Sequence, residues 1–213
     1  MILFFAAGAS SLAPHILLRE VGLSCQLERV DLATKRWAGG EYREITGKSY
    51  VPALRLDDGD VMTECAVILL YLADLVPERK LMPPAGERAR YQALAWLNFI
   101  ATEVHKNFIT PERHGGVAAN FLSKTSAGQA ETLTRVAPRL NYVDHALAGR
   151  EFLFGEHFSA ADAYLFTMLT WARRLGFDLA IWPNLAALFV RLSGRAAVQE
   201  ALAIEGPPHA LRE

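Results

Sequence analysis

The chain has 213 residues, 52% hydrophobic and 21% charged, with a formal net charge of -1. That is too apolar for a disordered chain and too evenly charged to track a phosphate backbone or an anionic membrane, so nucleic acid and membrane are excluded as expected partners. Cys25 and Cys65 form no CxxC pair or metal-ligand cluster, which predicts free thiols in a reducing compartment, no structural disulfide and no metal. The start, through Gly8, lacks a basic leader, and every apolar run falls short of the about 20 residues that a bilayer requires, so the expected location is the cytoplasm.

In chain order, residues 2–5 read as a short strand and Gly8-Ala9-Ser10-Ser11 as a turn. A helix follows, with Ser10 or Ser11 as its cap, Pro14 in its first turn and Gly22 at its end. Alternating apolar residues at 27–32 complete a β-α-β unit. Residues 34–49 are irregular; 51–56 and 61–63 are strands joined by the hairpin turn Asp57-Asp58-Gly59-Asp60. A helix runs from Glu64 to near Pro77. The prolines and glycine of 77–86 read as a linker, which divides the chain into 1–77, a linker at 78–86, and 87–213. Beyond it the patterns are helical, at about 87–108, 127–148, 160–175 and 185–202; the least determined stretch is 110–125, with Gly115-Gly116.

Five places carry candidate chemistry. The turn at Ser10 sits between a strand and a helix start, where free backbone N–H groups and the helix dipole favour an anion such as a thiolate; the alternative is that Ser10 only caps the helix. Pro52, entering a strand, marks either a cis peptide that turns Val51 outward to a ligand or an ordinary strand start. Thr63-Glu64-Cys65 opens a helix directly after a strand. Its N–H groups and the Glu64 carboxylate suit an amino-acid head group, and a solvated glutamate at a helix start is the rival reading. Along the helix that ends near Phe108, Leu97, Ala101, Val104 and Phe108 form an apolar seam, while Asn98, Thr102 and His105 form a polar one facing water, a cleft or a partner. Finally, Ser159 and Asp162 have capping-box spacing, which assigns Asp162 to folding rather than to acid catalysis.

The order and spacing of these segments resemble a glutathione transferase, most closely the bacterial beta class, over nearly the whole chain. The resemblance is carried by Gly8-Ala9-Ser10-Ser11-Leu12-Ala13 with His15, Val51-Pro52-Ala53-Leu54, Thr63-Glu64, Tyr71-Leu72-Ala73-Asp74, the run from Trp96 to Lys106, and Ala161-Asp162-Ala163-Tyr164-Leu165-Phe166. It implies an α/β thioredoxin-like N-terminal domain (β-α-β-α-β-β-α) with Pro52 in cis, an all-α C-terminal domain, and a homodimer. It also implies glutathione as co-substrate and a small hydrophobic electrophile as acceptor. Carried over, the catalytic residues are Ser10 and His105, with Lys106 beside His105 as one of the glutathione-binding residues. Val51 and Pro52 meet the cysteinyl backbone, Glu64 and the Cys65 N–H the γ-glutamyl group, and Lys35 the glycyl carboxylate; Asn98 and Glu103 reach the neighbouring subunit's ligand. Three positions depart from the beta-class pattern. Ser10 stands for the usual cysteine and cannot form a mixed disulfide, Tyr50 replaces a smaller polar residue, and Cys65 replaces a small one.

Overall fold

The structure is a computed structural model and describes residues 1–109 and 121–207. Gly115 and Gly116 lie outside the described residues. A six-stranded sheet has the order β4-β3-β2-β1-β5-β6, formed by β1 (Ile2–Phe5), β2 (Gln26–Asp31), β3 (Arg36–Trp37), β4 (Gly40–Glu41), β5 (Ala53–Arg55) and β6 (Val61–Thr63). β1 and β2 are parallel and the other pairs antiparallel. Helix α1 (Leu12–Val21) makes the crossover between β1 and β2, and α2 (Cys65–Asp74) follows β6. This is the thioredoxin-like arrangement that the resemblance implies, with one difference. Between β2 and β5 the described chain forms the β3–β4 hairpin and a single 3₁₀ turn, Tyr42–Glu44, where that pattern expects a helix. Trp37, Gly39 and Gly40 favour the tight hairpin: a side chain at Gly39 would meet the Trp37 indole, and Gly40 has φ 135.

The second unit is helical: α3 (Arg88–Phe99), α4 (Ser126–Ala146), α5 (Ala160–Arg174), α6 (Pro183–Ser193) and α7 (Ala196–Glu205). Helix α3 does not stop at Phe99; it continues as a π-helical stretch, Ile100–His105, and one last α turn, Lys106–Phe108. The single helix expected over 185–202 is two, because the backbone turns extended at Arg195 (ψ 135) after Gly194. The apolar rhythm runs through that break and hides it.

Helix α1 is buried on nearly every side, from Leu12 to Leu18, because α2, α5 and α7 pack around it. One apolar core therefore runs from Leu3 and Leu54 through α1 and α2 into α5 and α6. A smaller cluster, Phe4, Val30, Tyr42 and Ala53, lies on the sheet's far face. Helix α5 begins with the expected capping box. Asp162, fully buried, accepts from the Ser159 N–H at 2.9 Å, the Ser159 hydroxyl at 2.6 Å and the Leu153 N–H at 2.9 Å. Burial pushes its carboxyl up to about 6, against the pull of those hydrogen bonds.

Candidate glutathione site

A cavity of about 700 Å³ opens between the sheet's helix-bearing end and α3. Three backbone features line one wall: the Ser10 turn, the Tyr50-Val51-Pro52 segment and the first turn of α2 at Glu64, Cys65 and Ala66. The Val51–Pro52 peptide is cis. Glu64 holds φ 70, a conformation that L-residues rarely adopt, directly before α2. The opposite wall comes from α3 and α5. The π-helical stretch brings Ala101, Thr102 and His105 to the cavity together with Asn98 and Lys106, while Leu97, Val104 and Phe108 stay in the core. Tyr164 and Trp171 of α5, with Phe121, close the inner end.

Ser10 is nearly buried, and neither it nor Ser11 caps α1 through its side chain. This corrects the capping expectation. The Ser11 hydroxyl lies 3.2 Å from the Ala6 N–H and 3.3 Å from the Ala6 carbonyl, holding the turn to β1. The Ser10 hydroxyl donates to the Val51 carbonyl at 3.2 Å, tying two of the cavity-lining segments together. Cys65 lies behind them with its thiol donating to the Ser10 carbonyl at 3.5 Å. Burial raises that thiol well above its ordinary range, partly offset by hydrogen bonding with Tyr164, so at neutral pH it stays protonated. The Tyr164 hydroxyl is 2.7 Å from His105 Nδ1, and the His105 ring stands edge-on to Trp171 with centroids 4.9 Å apart. His105 is thereby fixed at the cavity wall.

Behind the Ser10 turn is a constellation that sequence reasoning missed. Gly8, at φ 68, is gripped on both sides of its peptide plane. Its N–H donates to Glu205 Oε2 at 3.1 Å, and its carbonyl accepts from Trp171 Nε1 at 2.8 Å and Arg174 Nη1 at 2.9 Å. The other oxygen of Glu205, 1% exposed, accepts from His15 Nδ1 at 3.1 Å, and the Glu205 carbonyl accepts from Arg29. Residues from both ends of the chain thus set the conformation of the turn that carries Ser10.

The remaining predicted site residues divide. Glu64 faces the cavity and pairs with Lys48 at 2.6 Å; the Lys48 ammonium also reaches Thr63 Oγ1 at 3.2 Å. Lys35 is not among the residues lining the cavity, and its ammonium lies 3.4 Å from the Ser49 carbonyl. Lys48 lines the cavity and was not singled out from sequence; an exposed lysine in an irregular segment gives no signal. Glu103 points away, to Arg139 at 3.1 Å.

Residues 9–75 match the family model "Glutathione S-transferase, N-terminal domain", and residues 93–196 match "Glutathione S-transferase, C-terminal domain". The chain belongs to the glutathione S-transferase family. It is 41% identical to the glutathione S-transferase GstA of Escherichia coli O157:H7, over 97% of this chain and 99% of that protein. Among solved structures it resembles a glutathione transferase from Methylococcus capsulatus, at 45% identity and a TM-score of 0.86, over 96% of this chain and 98% of the other. It also resembles the bacterial beta class enzyme of Sphingomonas chungbukensis, at 38% identity and a TM-score of 0.86, over 97% and 99%. Family membership accounts for the mixed sheet, the helical second unit and the capping box at Ser159.

Proposed function

We propose that this cavity binds glutathione and that the chain transfers the glutathione sulfur to hydrophobic electrophiles. One observation carries the reading: two helix starts, at Ser10 and at Cys65, converge on one cavity with the Val51 backbone between them. Backbone N–H groups at helix starts favour anions, so the two ends suit a thiolate and a carboxylate. The γ-glutamyl ammonium pairs with Glu64 and its carboxylate meets the Cys65 N–H. The cysteinyl N–H donates to the Val51 carbonyl and takes the place of the Ser10 hydroxyl there. Ser10 is then released to donate to the sulfur. His105 supports the thiolate from the opposite wall, and the acceptor lies against Phe121 and Trp171.

The chemistry requires a modest bias only. Lowering a thiol pKa by one unit corresponds to about 1.4 kcal/mol of preference for the charged form, within reach of one hydroxyl donor and a helix dipole. In the transfer step the C–S bond forms as the leaving group departs with its electron pair, and the thiol proton goes to solvent.

The working form in this reading is a homodimer in which Asn98 and Glu103 approach the neighbouring subunit's ligand; exposed Val67 and Tyr91, at 48% and 64%, offer apolar surface on α2 and α3. The division at residues 78–86 separates the glutathione-binding domain from the one that holds the electrophile. Two free cysteines and a thiol co-substrate suit the glutathione-rich cytoplasm. The Ser10–Val51 hydrogen bond favours a second reading, a protein that binds glutathione without using it, since the one proton of that hydroxyl is already committed. Turnover of a reactive aryl halide separates the two: the transferase exceeds the solution rate and the binder does not. In the transferase, Ser10→Ala raises the pKa of bound glutathione by about one unit, read from thiolate absorbance against pH. An unchanged titration removes Ser10 from the chemistry.

A further inference from the structure

The cavity holds a charge to which the proposed transfer assigns no role. Lys106 lies on the last turn of α3, exposed, and lines the cavity. No ion pair involves it among the described residues, where other pairs occupy Lys48, Arg90, Arg135, Arg139 and Arg195. Glu64, the one acidic residue lining the cavity among those described, is bonded to Lys48 at 2.6 Å. Among the described residues Lys106 therefore brings an uncompensated charge to the cavity, whose inner end is the proposed acceptor site. That end is aromatic: the Phe121 and Trp171 rings lie 4.7 Å apart with a tilt of 40°, and the Arg174 guanidinium stands 5.6 Å from the Phe121 ring.

We infer that the preferred acceptor is a flat aromatic electrophile carrying an anionic group, and that Lys106 is the residue selecting for it. The inference rests on the conjugation proposed above and adds the class of acceptor. The half-buried Phe121 ring, backed by the buried Trp171, favours an aromatic partner by offset or edge contact. A lysine ammonium on a flexible stem accepts a carboxylate or sulfonate at a range of distances, without the fixed fork an arginine would impose. The pairing is differential, because a neutral acceptor of the same shape gains the aromatic contacts but not the ionic one. For a ring bearing a halide, the glutathione sulfur bonds to the ring carbon, halide leaves with the electron pair of its bond, and the thiol proton is released. No oxidation or reduction is involved, and the acid group remains on the product.

The test compares a chlorodinitrobenzene with the corresponding chlorodinitrobenzoate, each kcat/KM divided by that acceptor's own rate in solution. The intact chain is expected to favour the benzoate, and Lys106→Gln to lower the benzoate-to-benzene ratio about three- to fivefold, the size of one exposed ion pair. Arg79→Gln, which removes a charge on the exposed segment after α2, should leave the ratio in place. An equal loss on both acceptors would assign Lys106 to the sulfur and overturn the inference, as would a chain that shows no preference. Calorimetry with the two preformed glutathione conjugates reads the same preference without chemistry. Should neither acceptor turn over, conjugation fails, and tighter binding of the acid conjugate, lost in Lys106→Gln, still upholds the selectivity; equal binding ends it.

Discussion

The back of the Ser10 turn and the mouth of the cavity use the same chemical groups to opposite ends. At the back, Glu205 meets His15 and the Gly8 N–H, with the side chains of His15 and Glu205 at most 1% exposed. At the mouth, Glu64 meets Lys48 with the two side chains 65% and 52% exposed. A buried carboxylate that loses its partners, or partners that lose it, leaves polar groups which water cannot reach; an exposed pair exchanges its partner for water at little cost. The first pair is framework and the second is replaceable by a ligand. The proposed function needs both, since in it Ser10 is held still while Glu64 lets go of Lys48.

The sharpest way to break this contrast is Glu205→Ala. It strands His15 Nδ1 in the core and takes the acceptor from the half-buried Gly8 N–H, and we expect a loss of about 3 kcal/mol or more in urea unfolding, in line with breaking a buried pair. Glu205→Gln keeps an acceptor for Gly8 and should recover part of that stability. If Glu205→Ala unfolds with the midpoint of the parent, the grip on Gly8 is not structural.

Asp162 extends the framework side to α5. Asp162→Ala leaves the N–H groups of Leu153 and Ser159 unpaired at a buried helix start, and should cost about 2–3 kcal/mol. Its pH dependence gives a second handle. Burial holds the folded carboxyl up at about 6, against 3.8 for an ordinary aspartate, so the folded state holds the proton more tightly than the unfolded one. The stability contributed by that proton is complete below the unfolded value and is lost as pH rises through about 6. Asp162→Asn removes this dependence. Unfolding curves for the parent and Asp162→Asn should therefore diverge between pH 4 and 6, on the order of 2 kcal/mol; parallel curves would mean that Asp162 titrates alike in both states.

What could be read from the sequence follows the same division between local and distant. The Ser159–Asp162 box, the Asp57–Asp60 hairpin and the Gly22 helix stop are set by residues within a few positions of each other, and each appears where spacing puts it. The seam of Asn98, Thr102 and His105 was also legible, because helical periodicity survives the π-helical stretch well enough to keep the three on one side. The grip on Gly8 was not, since it joins Gly8 and His15 to Trp171, Arg174 and Glu205, at separations of up to 197 residues, and none of those residue types signals its partner. The capping alternative for Ser10 failed for a related reason. Its hydroxyl answers to Val51, which the fold brings beside it at the entry to the adjacent strand β5. The hairpin at Arg36–Glu41 was lost in a polar stretch too short to show alternation.

The smallest expected effects lie at the mouth, where the two lysines give the cleanest discrimination. Lys35 is the residue that family resemblance assigns to the glycyl carboxylate, yet Lys48 is the one lining the cavity beside Glu64. Both are surface cations, so removing either should weaken glutathione binding by no more than about 1 kcal/mol, a few-fold in Kd. The two substitutions should differ in the ligand they affect. If Lys48 exchanges Glu64 for the γ-glutamyl carboxylate, Lys48→Gln weakens glutathione and γ-glutamylcysteine alike, because both carry that group. If Lys35 holds the glycyl end, Lys35→Gln weakens glutathione and leaves γ-glutamylcysteine, which lacks the glycine, as it was. Titration calorimetry of the two peptides against the two variants checks this. A loss in Lys48→Gln confined to glutathione would put Lys48 at the glycyl carboxylate, and the partner exchange at Glu64 would then involve only the ammonium of the ligand.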